Sequence, residues 1–195
     1  MANCCLDTVV FHSLEGCQED FNRLKDAVSA CFSIASITSD ASFDRLFIYA
    51  GLPTDEIYLR GTMVHKDIQD TCLTLWCDSC WIPLSDAYRM ISEFYHVGYV
   101  YCAEEPGCGI YVNTDASGRF LNNRYKVILY WEEEVFDHSL GTLMQNAGGD
   151  DADFYFPSKD KLLQWFEENG GITASSAEEL SAMFSNESVA IHLFE

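Results

Sequence analysis

Two cysteines separated by two residues are the groups in this sequence best suited to chemistry. They lie in the stretch LWCDSCWIP (residues 75–83), after a predicted strand and before a predicted helix. A Cys-x-x-Cys in that setting is typical of thioredoxin-like sites, because a helix N-terminus lowers the pKa of the first thiol. Pro83, however, delays the helix, and no other proline is placed to lie opposite the dithiol. A thiol-disulfide redox enzyme acting through Cys77 and Cys80 is therefore one alternative.

A structural zinc site is a second alternative for these thiols. The chain has nine cysteines, and Cys72, Cys77 and Cys80 could be joined by Cys102 or Cys108. Their spacings match no common zinc knuckle, and strand alternation places Cys72 and Cys77 on opposite faces. The five histidines are dispersed, and no nucleotide-binding or serine-hydrolase motif is present. We therefore predict no metal, no cofactor and no catalytic residue, with reduced, buried thiols as the simplest interpretation.

The charge of the chain excludes one class of function and suggests another. Lysine and arginine total 11 against 31 aspartates and glutamates, which gives a formal net charge of −20. A protein that binds nucleic acid directly needs the opposite sign. No apolar run is long enough to cross a membrane, and the first residues lack the basic and apolar regions of a signal peptide. We expect a protein of the cytoplasm.

The acids are concentrated toward the C-terminus. Residues 132–195 contain 14 acids and only two lysines, Lys159 and Lys161. Because a solvated face is the ordinary role of any single acidic cluster, the imbalance over the whole segment is the more informative signal. The carboxylates that we predict to face a partner are Glu132, Glu133, Glu134, Asp137, Asp150, Asp151, Asp153, Glu167, Glu168, Glu178 and Glu179. Tyr155, Trp165 and Phe166 are candidate anchors for the same contact if their side chains are exposed.

Apolar periodicity and turn residues predict an α+β fold. We expect a domain at 1–131 and an acidic α/β C-terminal extension at 132–195 that packs on it. The predicted strands are residues 4–12, 46–50, 71–77, 98–103, 108–113, 125–131 and 189–194. The predicted helices are residues 15–32, a helix that Ser85 caps, a helix from Ser158 to Gly170-Gly171, and residues 177–184.

The middle of the chain resembles a known family. Trp81-Ile-Pro83, the helix after it, Tyr99-Val-Tyr101, Glu105-Pro-Gly107 and Ile110-Tyr111 are similar to the YubB-type ferredoxin-like family of phages and mobile elements. The start of the chain is also similar, with Cys4 where the family has Trp and Asp7 where it has Asn. The resemblance implies a ferredoxin-like split β-α-β sheet with helices on one face. The family has no established activity, so no functional residue is carried over from it.

Three functions are consistent with these features. The first is a non-enzymatic acidic inhibitor from a phage or mobile element, a DNA mimic that binds a basic host defence nuclease in the host cytoplasm, as an anti-CRISPR or anti-restriction protein. The second is a protein-protein interaction module, in which charge tunes the association rate and an apolar patch supplies affinity. The third is the redox enzyme built on Cys77 and Cys80. We expect no direct contact with nucleic acid or membrane.

Overall fold

The first 115 residues build a six-stranded antiparallel sheet. The computed structural model describes residues 3–38, 41–55, 57–130, 138–146, 152–184 and 189–195. Within these, the chain divides into two compact units, residues 1–115 and 116–195. The strands of the first unit are β1 (Cys4–His12), β2 (Ala41–Ser42), β3 (Gly61–Ile68), β4 (Cys72–Cys80), β5 (Gly98–Glu105) and β6 (Ile110–Asn113). They pair in the order β2-β3-β4-β1-β5-β6.

Three helices pack on one face of this sheet: α1 (Gln18–Thr38), α2 (Phe43–Ala50) and α3 (Ser85–Phe94). Because side chains alternate along a strand, β1 directs Val9 and Phe11 to the helices and Leu6 to the opposite face. The buried side chains of the three helices form one apolar cluster with Val9 and Phe11. The core of the first unit therefore lies between the helices and a single face of the sheet.

Residues 46–50 are helical, so the prediction of a strand there is wrong. Phe43, Leu46 and Phe47 have the spacing of one helical face, and all three are fully buried against the sheet. Gly51 ends α2 in a left-handed conformation, with φ of 74°, and its N–H donates to Ile48 O. A short apolar run is compatible with a strand or with a helix. Here packing against the core stabilises the helix.

The second unit has its own three-stranded antiparallel sheet and its own core. Its elements are β7 (Tyr125–Leu129), α4 (His138–Asn146), β8 (Ala152–Phe156), α5 (Lys159–Gly170), α6 (Ala177–Met183) and β9 (Val189–Leu193). The strand order is β8-β7-β9. Val127 and Leu129 of the central strand pack with Leu162 and Phe166 of α5 in an apolar cluster. The prediction of an α+β chain is confirmed.

The division between the units lies earlier than the boundary after residue 131 that the charge distribution suggests. Strand β7 pairs with β8 and β9 along its whole length, so it is the central strand of the second sheet. Residues 125–129 thus belong with the acidic segment. Charge composition marks where acids accumulate, whereas strand pairing decides which residues share a core.

Candidate functional site

The Cys-x-x-Cys lies inside strand β4, not between a strand and a helix. Cys77 projects into the apolar core and is almost fully buried, whereas Cys80 is partly exposed at the end of the strand. Residues three apart on a strand point to opposite faces, so Cys77 and Cys80 do not face each other. Burial raises the pKa of the Cys77 thiol well above its ordinary value. The geometry therefore does not bring the two predicted redox thiols together.

The most unusual polar group of the first unit is the buried carboxylate of Asp7. It projects from β1 into the core with 2% of its surface exposed. Its Oδ2 accepts hydrogen bonds from the Tyr88 hydroxyl at 2.7 Å, the Ser79 hydroxyl at 3.2 Å and the Leu84 backbone N–H at 3.2 Å. The Cys5 thiol donates to Oδ1 at 3.0 Å. Four donors thus converge on one carboxylate.

These donors surround the connection between β4 and α3. Ser79 lies near the end of β4, Leu84 immediately precedes α3, and Tyr88 lies one turn into that helix. Burial raises the pKa of the Asp7 carboxyl, and the hydrogen bonds from Cys5, Tyr88, Leu84 and Ser79 oppose that rise. Asp7 therefore fixes the start of α3 on the sheet, and its role is positional. Asp7 is a polar residue at a core-facing position of β1. That break in the apolar alternation is the sequence signal that could have identified it.

The same connection exposes an aromatic residue in a strained conformation. Trp81 has φ of 72°, in the left-handed region that non-glycine residues rarely adopt. Its backbone N–H donates to Asn3 O at 3.1 Å, and the Ser79 hydroxyl lies 2.9 Å from Ile82 O, so its single hydrogen is shared between Ile82 O and the Asp7 carboxylate. The surrounding hydrogen bonds hold the strained residue in place, leaving the side chains of Trp81 and Ile82 about half exposed.

The part of the chain that the structure describes bears on two further kinds of site. No group of three or more His, Cys, Asp or Glu side chains there is arranged to hold a metal ion. Among the described helices, none combines the length and apolar character needed to cross a membrane.

The predicted partner-binding carboxylates fall into two sets. Glu132, Glu133, Glu134, Asp137, Asp150 and Asp151 lie outside the described residues. The other five, all exposed in the second unit, are Asp153, Glu167, Glu168, Glu178 and Glu179. Their surroundings differ enough to separate carboxylates with an internal role from those directed only at solvent.

Asp153 has an internal partner. Its carboxylate lies 2.7 Å from the Nζ of Lys126, a lysine of the central strand β7 whose side chain is 4% exposed. A lysine buried to that degree depends on nearby negative charge, since burial penalises its cationic form. Asp153 therefore contributes to the folding of the second unit as well as to its surface charge.

We expect Asp153→Asn to lower the free energy of unfolding by about 1–2 kcal/mol, less than for a fully buried pair because Asp153 is half exposed. Urea denaturation of the full chain measures the change. Glu167→Gln, which removes an exposed carboxylate of α5, is the matched control and should leave the urea midpoint unchanged or slightly higher. Equal urea midpoints for Asp153→Asn and the wild type would show that the ion pair with Lys126 does not contribute to stability.

Glu178 and Glu179 lie in the first turn of α6, where negative charge is favourable. Ser176 caps this helix by accepting a hydrogen bond from the Glu179 N–H at 3.1 Å. The Glu179 carboxylate in turn accepts hydrogen bonds from the Ser175 N–H and hydroxyl, which lower its pKa. Glu179 is therefore part of the helix cap.

Glu167 and Glu168 are placed where helix electrostatics opposes them. Both lie in the last turn of α5, which carries no basic residue and ends at Gly171 with φ of 66°. Negative charge near a helix C-terminus is unfavourable, because the unpaired carbonyls there carry partial negative charge. The Gln164 amide donates to Glu168 at 2.7 Å, but within the described ranges no cation forms an ion pair with either glutamate. Their charges therefore oppose helix stability, and the hydrogen bond from Gln164 offsets this only at Glu168.

The carboxylates on the two helices flank one short connection. The last turn of α5 and the first turn of α6 are separated only by residues 171–176. Glu167 and Glu168 therefore lie on one side of that connection, and Glu178 lies on the other. We call these three exposed residues the acidic surface of the second unit.

The candidate anchors have different environments. Phe166 is fully buried in the core of the second unit, so the exposure that an anchor requires is not met at this residue. Trp165 is partly buried, with its ring centroid 4.7 Å from that of Phe154. Tyr155 is 40% exposed. Of the three aromatic residues, Tyr155 is the one that a partner can reach most easily.

Comparisons of the sequence with protein-family models and with curated proteins find no match. The acidic surface, the buried Asp7 network and the exposed residues at the β4–α3 connection are therefore interpreted from their own chemistry.

Proposed function

We propose that this protein is a non-enzymatic inhibitor that binds a basic, nucleic-acid-binding protein through its acidic surface. The observation that carries the proposal is the position of Glu167 and Glu168, exposed in the last turn of α5 with no ion-pair partner among the described residues. Charges that oppose helix stability and make no ion pair are best explained by a contact outside the chain. Glu178, in the first turn of α6, is the third carboxylate of the acidic surface.

The amount of charge supports a partner that normally holds nucleic acid. A net charge of magnitude roughly 2–8 is sufficient for the solubility of a small domain. This chain has a formal net charge of −20. Duplex DNA carries one negative charge per ~1.7 Å of axis, so carboxylates at comparable density can occupy a basic channel that evolved for phosphates. A host defence nuclease, either a CRISPR effector or a restriction enzyme, is a partner with such a channel.

The proposed setting is a phage or mobile element, acting in the cytoplasm of a bacterial host. It depends on the resemblance to the YubB-type family, and with it we propose a ferredoxin-like split β-α-β fold for the first unit. The order β3-β4-β1-β5, antiparallel throughout, supports that assignment, as do α1 and α3 on one face of the sheet. Strands β2 and β6 would then be additions at the two edges.

Phage plating tests the proposed function. Expressed in bacteria that carry a restriction or CRISPR system, the protein should raise the plating efficiency of a targeted phage by orders of magnitude in at least one strain of a panel. Glu167→Lys/Glu168→Lys should abolish that increase. Plating that is unchanged throughout the panel would contradict a role against host defence nucleases.

A protein interaction module is the second candidate, and the exposed apolar residues of the first unit favour it. Leu6, Trp76, Trp81 and Ile82 are each between 40% and 51% exposed, on or beside the sheet face opposite the helices. Aromatic residues in such positions are typical of interface anchors. Binding through them should resist high salt and fall on Trp76→Ala/Trp81→Ala, whereas binding through the acidic surface should fall with salt.

A further inference from the structure

Cys80 has a cysteine partner that sequence spacing does not reveal. In the register between β1 and β4, Cys4 lies directly opposite Cys80. The neighbouring Trp81 N–H donates to Asn3 O at 3.1 Å, whereas the Cys80 N–H points away from β1 and donates to Arg60 O at 3.0 Å. Hydrogen-bonded and non-hydrogen-bonded pairs alternate along an antiparallel ladder, so Cys4 and Cys80 form a non-hydrogen-bonded pair. Such pairs have Cα atoms about 4.5 Å apart and the closest side chains of the ladder.

That separation suits a disulfide bond, which joins residues whose Cα atoms lie roughly 4.4–6.8 Å apart. Both thiols are free in the structure, and both line a cavity of about 700 Å³ that opens to solvent at this end of the sheet. Cys4 is exposed and Cys80 is partly exposed. A small molecule entering the cavity can therefore reach both sulfur atoms.

The neighbouring thiols are directed elsewhere. Cys5 and Cys77 point to the opposite face of the sheet, where both are buried. The Cys5 thiol donates to Asp7, and burial raises the pKa of Cys5 above its ordinary range. Neither thiol lines the cavity, and each projects from its strand away from the Cys80 side chain. Cys4 and Cys80 thus form a separate, accessible pair.

We infer that Cys4 and Cys80 are a redox-sensitive pair that a low-molecular-weight disulfide converts to a cross-strand disulfide bond. One protein thiolate attacks the small disulfide, forms a mixed disulfide and releases one small thiol. The second protein thiolate then attacks the protein sulfur of the mixed disulfide and releases the second small thiol. In sum, two protein thiols and one small disulfide give one protein disulfide and two small thiols, so the protein is oxidised and the small disulfide is reduced.

Desolvation and nearby charges together set the rate of that exchange. The pKa of Cys4 is raised, first by desolvation of its thiolate and then by the Asp78 carboxylate, with smaller effects of Cys80 and Asp7. The other charged groups lining the cavity are Asp44 and Arg60. Because the thiolate is the nucleophile, exchange should be slow near neutral pH and accelerate as pH rises. Asp78→Asn should accelerate it further.

The disulfide would join the start of β1 to the end of β4, beside the strained residue Trp81. It would close a long loop comprising residues 5–79, and long loops are those in which a cross-link most restricts the unfolded chain. Oxidation should therefore raise the melting temperature of the protein, by about 5–10 °C.

The test uses the full-length reduced protein and oxidised glutathione. After incubation, acid quenching and alkylation of free thiols, mass spectrometry should find the peptides of Cys4 and Cys80 joined, with the loss of two hydrogen atoms. Cys4→Ser should form no intramolecular disulfide and should retain glutathione on Cys80, without the rise in melting temperature. Cys108→Ser, which removes another exposed thiol, is the matched control and should behave as the wild type.

Several outcomes would overturn the inference. A bond between Cys77 and Cys80, or an intramolecular disulfide at Cys80 that persists in Cys4→Ser, would identify a different partner. Stable glutathione adducts on both Cys4 and Cys80 of the wild type would show that the pair cannot close. Circular dichroism of Cys4→Ser checks its folding, and a disordered variant leaves the cross-linked peptide of the wild type as the deciding measurement.

Discussion

Asp7→Ala is expected to destabilise the first unit by about 2–4 kcal/mol, whereas Asp7→Asn should be tolerated at neutral pH. Alanine removes Oδ2, the acceptor of the Tyr88 hydroxyl and the Leu84 N–H, whereas the Ser79 hydroxyl can still donate to Ile82 O. Buried donors without an acceptor incur their full desolvation penalty. The start of α3 would lose its attachment to β1, so the loss should affect the whole β4–α3 connection.

Asparagine retains a hydrogen-bond acceptor at the position of Oδ2. Its amide oxygen can take the position of Oδ2 and accept from the Tyr88 hydroxyl and the Leu84 N–H, while its NH₂ group lies near Cys5, whose sulfur is a weak acceptor. The substitution also removes a buried charge.

The pH dependence of stability, compared between the wild type and Asp7→Asn, separates the effect of the buried charge from that of the hydrogen bonds. The folded pKa of Asp7 is raised by burial, so the folded state holds its proton more tightly than the unfolded state. Wild-type stability therefore falls as pH rises from roughly 4, the unfolded pKa, through the higher folded pKa. Asp7→Asn cannot titrate, so its stability relative to the wild type should increase over that window and then become constant.

Urea denaturation of the wild type, Asp7→Asn and Asp7→Ala between pH 3 and pH 8 measures both effects. Asp78→Asn is the matched control, since Asp78 is exposed on the opposite face of the same sheet. It should change stability little. If Asp7→Asn is as unstable as Asp7→Ala at neutral pH, or loses stability relative to the wild type as pH rises, the role assigned to Asp7 is wrong.

Glu167→Lys/Glu168→Lys is expected to raise the stability of the protein and to abolish binding of its partner. Lysine in the last turn of α5 complements the partial negative charge of the helix C-terminus. The same reversal places lysine cations against the basic surface of the partner. Like charges repel, so each lysine weakens binding where a glutamate strengthened it. Opposite effects on stability and function are the signature of residues maintained for binding.

The paired readouts are the melting temperature and the affinity for the partner. Glu15→Lys/Asp26→Lys is the matched control, because both residues are exposed in the first unit and the change in net charge is the same. If general charge governs binding, both double variants should weaken it equally. If the acidic surface governs binding, only the variant of α5 should lose it.

Local signals were sufficient for much of the fold. The alternation of β1, the turn at Glu105-Pro-Gly107 and the caps Ser158 and Gly171 identify elements that the structure contains. These elements are specified by residues close in sequence. Strand β3 was missed because only Met63 is buried along it and its register shifts between Met63 and His65, which disrupts the alternation.

Features that depend on distant residues could not be predicted from spacing. Asp7 is bound by residues of β4 and α3, and Cys4 meets Cys80 only through strand pairing. The spacing of Cys77 and Cys80 suggested a dithiol, but a strand places them on opposite faces. For the acidic residues, composition predicted exposure, whereas the internal roles of Asp153 and Glu179 required knowledge of their neighbours.

The most direct test of the acidic surface is capture of its partner in competition with DNA. Wild type, Glu167→Lys/Glu168→Lys and Glu15→Lys/Asp26→Lys are immobilised and exposed to lysate of a strain whose restriction or CRISPR defence the protein suppresses. Bound nuclease is then released with salt or with duplex DNA. We predict that the wild type and the Glu15→Lys/Asp26→Lys control retain the nuclease, that salt and DNA each release it, and that Glu167→Lys/Glu168→Lys does not bind it. Retention by Glu167→Lys/Glu168→Lys, or binding that duplex DNA does not displace, would contradict the proposal.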